Sequence, residues 1–330
     1  MVVTPSDDDF SRAVDVLAAG ELVAFPTETV YGLGANAADP LAVAKIFAAK
    51  GRPADHPLIV HLPADDRVGQ WATDIPDIAW ELMEAFWPGP LTLILKKQDW
   101  VPGIVTGGQG TVGLRVPGHP VALELLRRFA QRSAPAGVAA PSANRFGRVS
   151  PTTAAHVVSE LGGRVPLVLD GGACAVGIES TIVDCSRQTP VILRPGHVAP
   201  AHLAEVLGFA PEIETAEGAP RVPGALPAHY APNTPMRLLK PAELERMLNA
   251  GRRVALLTHT SAMAACLDRL PEECRKLLAD DPVAYAHDLY AALRALDGCG
   301  AELIALEQTP QTPAWSAIND RLRRALAGSA

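Results

Sequence analysis

Apolar positions along the first two-thirds of the chain fall into two alternating rhythms. Ser6 to Ala19 reads as an amphipathic helix: Phe10, Val14 and Leu17 share a face, Asp7–Asp9 occupy its first turn, Ser6 is placed to cap it and Gly20 to end it. A second helix opens at Asp39-Pro40, with proline at its first position, and runs through Val43, Ile46 and Phe47 to Lys50. Further helices are predicted over Ile75–Phe86, Pro120–Arg132 and Thr152–Leu161, the last with Ser150 as its cap. Between them lie short apolar runs that read as strands: Leu22–Phe25, Leu58–Leu62, Leu91–Leu95, Val112–Val116, Val138–Ala140, Leu167–Leu169, Thr181–Val183 and Val191–Leu193. Strands and helices mixed in this way predict an α/β layered fold.

From Gly208 to Pro235 the pattern stops. Six prolines (Pro211, Pro220, Pro223, Pro227, Pro232 and Pro235) crowd a stretch with few periodic apolar residues, which is the composition of an extended linker. The expected organisation is therefore a first domain at 1–207, a linker at 208–235 and a second domain at 236–330. That second domain alternates again. Strands are predicted at Met236–Leu239, Arg253–Thr258, Val283–Ala286 and Glu302–Leu306, and helices at Pro241–Asn249, around Cys274–Leu278, at Leu289–Leu296 and at Trp315–Leu326. This βα rhythm predicts a small open parallel sheet. No Gly-x-Gly-x-x-Gly follows its first strand, so nothing points to a dinucleotide.

Charge narrows the partners. With 29 Lys+Arg against 36 Asp+Glu the formal charge is −7, the wrong sign for a global grip on nucleic acid. The five cysteines (Cys174, Cys185, Cys266, Cys274 and Cys299) are scattered and form no Cys-x-x-Cys, which argues against a disulfide framework or a zinc site and fits a reducing cytoplasm. The acidic N-terminus does not read as a signal peptide, and no apolar run is long enough to span a bilayer.

Candidate chemistry gathers in segments that leave strands. Pro26-Thr27-Glu28-Thr29-Val30-Tyr31-Gly32-Leu33-Gly34 reads as a strand-exit loop able to line a polar pocket. Lys50-Gly51-Arg52-Pro53 closes the second helix. Its two cations suit either the helix dipole or a phosphate clamp. His56 and His61 flank a strand, and His61 follows an apolar run, where a histidine is commonly structural. Gly107-Gly108-Gln109-Gly110-Thr111 is glycine-rich but is not a Walker loop. Arg115, set among Val112, Leu114 and Val116, requires an anionic partner if it faces the interior. Ser142 and Asn144 leave another strand, and Ser180 and Arg194 sit at two more strand edges. No Gly-x-Ser-x-Gly elbow is present. The set is suited to positioning and charge neutralisation more than to covalent catalysis.

Taken together, these segments resemble the Sua5/YrdC family. The resemblance runs through residues 26–34, Lys-Gly-Arg-Pro at 50–53, Pro-Leu-Ile-Val-His at 57–61, Trp-Pro-Gly-Pro-Leu-Thr at 87–92 and Gly-Leu-Arg-Val-Pro at 113–117. It continues through Pro-Ser-Ala-Asn at 141–144, Ser-Thr-Ile-Val-Asp at 180–184, Leu-Arg-Pro-Gly at 193–196 and the proline-rich block at 223–232. It implies a twisted α/β domain around a large cavity, followed by a smaller Rossmann-like α/β domain, the longer two-domain form of the family. It also implies synthesis of threonylcarbamoyl-AMP and pyrophosphate from L-threonine, bicarbonate and ATP, with Mg²⁺ accompanying ATP and no protein metal ligands assigned. The product would pass, through transient contacts, to machinery that forms N6-threonylcarbamoyladenosine in tRNA.

By the same resemblance Lys50 and Arg52 would neutralise the triphosphate, with Thr111, Ser142, Ser150 and Arg194 assisting. His56 and Asn144 would be further nucleotide contacts, and Tyr230 would close over the nucleotide. Thr29, His61, Arg115, Ala140 and Ser180 would form the threonine pocket, with Arg115 gripping the carboxylate. Two rivals belong to other classes. An RNA-binding module is disfavoured by the charge, and a hydrogenase-maturation component would need zinc-finger and acylphosphatase-like regions that the chain lacks.

Overall fold

The computed structural model describes residues 1–213, 220–224, 226–264 and 266–329. The residues missing from these ranges include seven of the segment expected as a linker. The chain divides into two compact units. One comprises Met1–Phe146, Pro151–Ala175 and Glu179–Ala225, the other Gly147–Ser150, Val176–Ile178 and Leu226–Ala330.

The first unit contains β1 (Val2–Val3), α1 (Asp7–Ala18), β2 (Val23–Phe25), β3 (Gly32–Asn36), α2 (Pro40–Lys50), β4 (Ile59–His61), α3 (Asp77–Phe86) and β5 (Leu91–Lys96). It continues with α4 (Gly103–Thr106), β6 (Thr111–Arg115), α5 (Pro120–Phe129), β7 (Val138–Ala139), α6 (Ala154–Leu161), β8 (Leu167–Leu169), β9 (Thr181–Asp184), β10 (Val191–Arg194) and α7 (Pro200–Leu207). The strands form one ten-stranded mixed sheet in the order β1-β8-β2-β3-β7-β4-β6-β5-β9-β10. Local sequence fixes the helix ends. Ser6 and Asp9 form a reciprocal capping box on α1, while Asp39 caps α2 and Gly51 ends it in the left-handed conformation at φ 63°.

Strand alternation then sorts the side chains between the two faces of the sheet. Val60, Leu93, Leu114, Ala139 and Val183 join the main core, which also takes in Val43, Ile46 and Leu82 from α2 and α3. Their neighbours on the same strands, among them Ile59, Ile94 and Ile182, belong to a separate apolar cluster. His61, Thr92 and Arg115 occupy alternate positions with those isoleucines.

Two expectations in this unit change. Residues 26–34 are not one exit loop: Gly32–Asn36 is β3, antiparallel to β2 with Phe25 opposite Gly32, so only Pro26–Tyr31 forms the turn. Ser150 does not cap α6, because Thr153 does, accepting from the His156 amide.

The second unit contains β11 (Met236–Leu238), α8 (Pro241–Asn249), β12 (Val254–Thr258), α9 (Ser261–Ala264), β13 (Arg275–Leu277), α10 (Pro282–Asp297), β14 (Leu303–Leu306) and α11 (Ser316–Gly328). Its four strands are all parallel, in the order β11-β14-β12-β13. The helix expected around Cys274–Leu278 is instead the edge strand β13, and the strand expected at Val283–Ala286 is the first turn and a half of α10. Asp281 explains the latter: its carboxylate accepts from the Val283 and Ala284 amides, and Pro282 takes the first helical position. No helix among the described residues is long and apolar enough to cross a membrane.

Candidate active site

Strand pairing places the expected threonine residues along one line of the first unit's sheet. His61 on β4 is paired with Arg115 on β6 and with Val138 on β7, while Thr92 on β5 is paired with Ile182 on β9, which is itself opposite Arg194 on β10. Ala140 joins at the next position, its amide donating to the Ile59 carbonyl at 3.0 Å. Gly113 lies two residues before Arg115 on the same face. A Cβ there would come within 3.2 Å of Ile94 Cδ1, so glycine keeps this part of the face flat.

Arg115 is anchored through all three of its nitrogens. Its Nε donates to the Gly89 carbonyl at 3.1 Å, one terminal nitrogen to Thr29 Oγ1 at 3.0 Å and the other to Glu28 Oε1 at 2.5 Å. The second Glu28 oxygen accepts from the Gly118 amide at 2.9 Å. Thr29 in turn meets Thr27 Oγ1 at 2.8 Å, and Thr27 donates to the Val30 carbonyl at 2.7 Å. With the guanidinium as obligatory donor, the hydroxyl protons run in one direction, from Arg115 through Thr29 and Thr27 to that carbonyl. Three guanidinium N–H groups are engaged in this way among the described residues, which leaves two of the five for a ligand carboxylate. Beside it, burial and then the Arg115 charge push the His61 imidazole down to about 3, so this side chain works as a neutral hydrogen-bonding group.

Lys50 ends α2 and turns inward. Its ammonium donates to the carbonyls of Ser142 and Asn144 at 2.5 Å each and is buried. Carbonyls orient an ammonium without neutralising it, and its third N–H direction remains for an anion. Burial, followed by the charge of Arg52, holds its pKa well below the usual lysine value. Arg52, also buried, donates to the Pro57 carbonyl at 2.9 Å. His56 sits edge-on to Phe146 with ring centroids 5.4 Å apart, its pKa lowered by burial and then by Arg52. Asn144 donates to the Arg145 carbonyl at 2.8 Å, and Ser142 is bridged to Gly32 of β3. The structure therefore brings Lys50, Arg52, His56, Ser142 and Asn144 into one group around the 141–146 segment.

Arg194 grips the next segment. Its Nε and one terminal nitrogen donate to the Ser180 carbonyl at 3.1 and 2.8 Å, and its other terminal nitrogen to the Pro223 carbonyl at 2.9 Å. Ser180 Oγ lies 2.8 Å from Thr92 Oγ1. Thr111 begins β6, opposite Lys96. Ser150 and Tyr230 belong to the second unit, where Ser150 is buried and Tyr230 stacks on Tyr290 at 5.7 Å with Arg321 over its ring at 5.3 Å. Sequence reasoning missed Glu28 and Thr92 as site residues. A buried arginine signals that a carboxylate is near, and Glu28 was the acidic residue inside a singled-out segment.

Buried cations aimed by backbone carbonyls, together with a guanidinium set beside neutral hydroxyls and an imidazole on one sheet face, define a site for joining anionic small molecules on an α/β scaffold. Residues 15–196 match the Sua5–YciO–YrdC family, described as telomere recombination, and residues 198–327 match the family described as threonylcarbamoyl-AMP synthase, C-terminal domain. The chain belongs to the Sua5/YrdC family. It is similar to the threonylcarbamoyl-AMP synthase of Bacillus subtilis, 38% identical with 99% of this chain and 95% of that one covered. It is also similar to that of Pyrococcus abyssi, 36% identical over 95% of this chain and 92% of that one. The crystal structure of P. abyssi Sua5 complexed with L-threonine superposes with a TM-score of 0.88 at 34% identity, covering all of this chain (100%) and 97% of the other.

Proposed function

We propose that the protein is an L-threonylcarbamoyl-adenylate synthase, a nucleotidyltransferase that uses L-threonine, bicarbonate and MgATP. Its product serves a transferase that modifies tRNA adenosine in the cytoplasm. The observation that carries this reading is the pairing of two differently built cation sites in one unit. Arg115 is set for a carboxylate among hydroxyls, and Lys50 is presented by two carbonyls for a polyphosphate.

The chemistry follows from the charges. The threonine amine, as its free base, and bicarbonate give a carbamate: the C–N bond forms, a C–O bond of bicarbonate breaks and water leaves. One carbamate oxygen attacks the α-phosphorus of ATP, the bond from that phosphorus to the bridging oxygen breaks, and pyrophosphate leaves. The attacking group is already an anion, so the protein supplies little base catalysis. It holds two anions together against their repulsion and keeps water from the labile carbamate. Arg115 orients threonine through its carboxylate, with Thr29, Ser180, neutral His61 and the backbone at Ala140 shaping the rest of the pocket. Lys50, Arg52 and Arg194 offset charge on the phosphates, and Thr111, Ser142, Asn144 and His56 supply neutral contacts. Mg²⁺ carried in on ATP would supply further charge neutralisation at the phosphates; the described residues offer no cluster of His, Cys, Asp or Glu to hold it apart from the nucleotide.

Pyrophosphate release from ATP tests the proposal. Release that depends on both L-threonine and bicarbonate, and falls sharply when serine replaces threonine, is the expected result. Release independent of the amino acid would overturn it.

A further inference from the structure

The second unit holds a cavity of about 340 Å³ beside the N-terminal ends of β12, β13 and β14, and its lining includes Arg252, Arg253, Arg269, Cys274 and Cys299. Two of the five cysteines thus share one small hollow, while Cys174, Cys185 and Cys266 are buried and do not line it. The Cys274 thiol donates to the Cys299 carbonyl at 3.5 Å, so the two residues meet inside the hollow. Cys299 is half-buried and lies between Gly298 and Gly300, the latter at φ 77°, so its backbone sits in a glycine turn that can adjust. The lining sets three arginines against one carboxylate, Glu273, which leaves the hollow net positive on a protein whose formal charge is −7. Arg252 and Arg253 share a single carboxylate, Glu302, at 3.0 and 3.5 Å.

We propose that Cys274 and Cys299 form a redox pair that closes to a disulfide, and that the arginine-lined hollow admits an anionic low-molecular-weight disulfide as the oxidant. The better-exposed Cys299 attacks first as thiolate. Its sulfur bonds to one sulfur of the reagent, the reagent's S–S bond breaks, and one reduced thiol leaves with a proton from solvent. Cys274 then loses its proton and attacks the Cys299 sulfur, expelling the second reduced thiol. Two protein thiols give up two electrons and two protons, and one reagent disulfide becomes two thiols. This order agrees with exposure: Cys274 is buried where Cys299 is half-buried, and burial raises the pKa of the Cys274 thiol. The new bond would tie the start of the edge strand β13 to the turn before β14, on either side of β12.

The test uses the full reduced chain and oxidised glutathione, read by intact mass and by peptide mapping without reductant. The expected product is two hydrogens lighter and yields one linked peptide pair containing Cys274 and Cys299. Cys274→Ser should stop at a glutathione adduct on Cys299, and Cys299→Ser should leave Cys274 unmodified. The map of the unsubstituted chain decides the linkage even where a variant folds poorly. Free, alkylatable Cys274 and Cys299 after exposure, a lasting adduct on Cys299 in the unsubstituted chain, or linkage of other cysteines would each overturn the pair. The neutral reagent hydroxyethyl disulfide should react several-fold more slowly relative to its rate with a small model thiol, with the gap closing as salt is added. Equal relative rates would overturn the role given to the arginines.

Discussion

Arg115 and Glu28 form a buried ion pair at 2.5 Å, bridging two residues 87 positions apart in the sequence. The carboxylate is itself held by the Gly118 amide, so the pair fixes the guanidinium beside Thr29 with no freedom to turn away. The arginine therefore serves two ends, and they separate experimentally. Arg115→Ala should raise the KM for threonine by roughly 10- to 100-fold, the worth of charge-assisted hydrogen bonds to a carboxylate, and leave the KM for ATP nearly unchanged. It should also cost about 3–5 kcal/mol of stability, because Glu28 is left buried and unpaired. Combining Glu28→Gln with Arg115→Met should restore most of the stability and none of the threonine affinity. Recovery of both would make Arg115 purely structural.

Gly196 shows how tightly the Ser180 segment is seated. A Cβ at this position would lie 2.3 Å from the Thr181 nitrogen and 2.5 Å from the Ser180 carbonyl carbon, both of them backbone atoms. Gly196→Ala must displace the strand start that carries Ser180 and with it the carbonyl that Arg194 holds. The expected outcome is a loss of about 1–3 kcal/mol in stability together with raised KM values for both threonine and ATP. Gly163→Ala, where nothing lies within 4 Å of the added carbon, is the matched control and should leave both KM values unchanged.

α1 and α2 were legible because their caps and periodicities are local, whereas α4, α7 and α9 were not foreseen. α1 declared itself through Ser6 and Asp9, and α2 through Asp39, Pro40 and Gly51. β3 was illegible because its sequence, Gly-Leu-Gly-Ala-Asn, lacks the branched and aromatic residues that mark strands. The reason is tertiary: a Cβ on Gly34 would sit 2.7 Å from Phe25 Cε1 and 2.8 Å from Val138 Cγ1, so close packing of neighbouring strands demands glycine where propensity argues against a strand. β13 hid behind the polar Arg275 and Lys276 at a sheet edge, and the start of α10 behind Val283–Ala286, a short run read as a strand although Asp281 caps a helix there. In the site, the need of Arg115 for an anion could be read from its apolar flanks. That Glu28 answers it depends on a turn joining β2 to a strand the pattern did not reveal.

His61 should make the first unit sensitive to acid. Burial and the adjacent Arg115 place its folded-state pKa at about 3, against 6.5 when exposed. A histidine buried neutral contributes stability that is complete above the unfolded value and disappears as pH falls through the folded one. The difference amounts to roughly 4–5 kcal/mol across that window, taking each pKa unit as about 1.4 kcal/mol. Urea midpoints measured from pH 7 to pH 4 should therefore fall more steeply for the unsubstituted chain than for His61→Gln, which has no proton to gain. Parallel slopes would mean that His61 is not held neutral by its surroundings.

Lys50 titrates against the opposite background, because its ligand is an anion. Burial and then Arg52 depress its pKa well below 10.5, so the unfolded chain binds this proton more readily than the folded one does. Between the depressed value and 10.5, stability accordingly rises with pH. ATP reverses the preference. Phosphate oxygens favour the ammonium, so in that window binding draws a proton onto Lys50, and apparent affinity for ATP weakens as pH rises. Calorimetric titration of ATP in buffers of different ionisation enthalpy should register this proton uptake, growing as the pH passes the depressed value. Lys50→Met should bind ATP more weakly and lose the Lys50 component of the uptake. An uptake unchanged in the methionine variant would assign the proton to another group and remove Lys50 from the phosphate site.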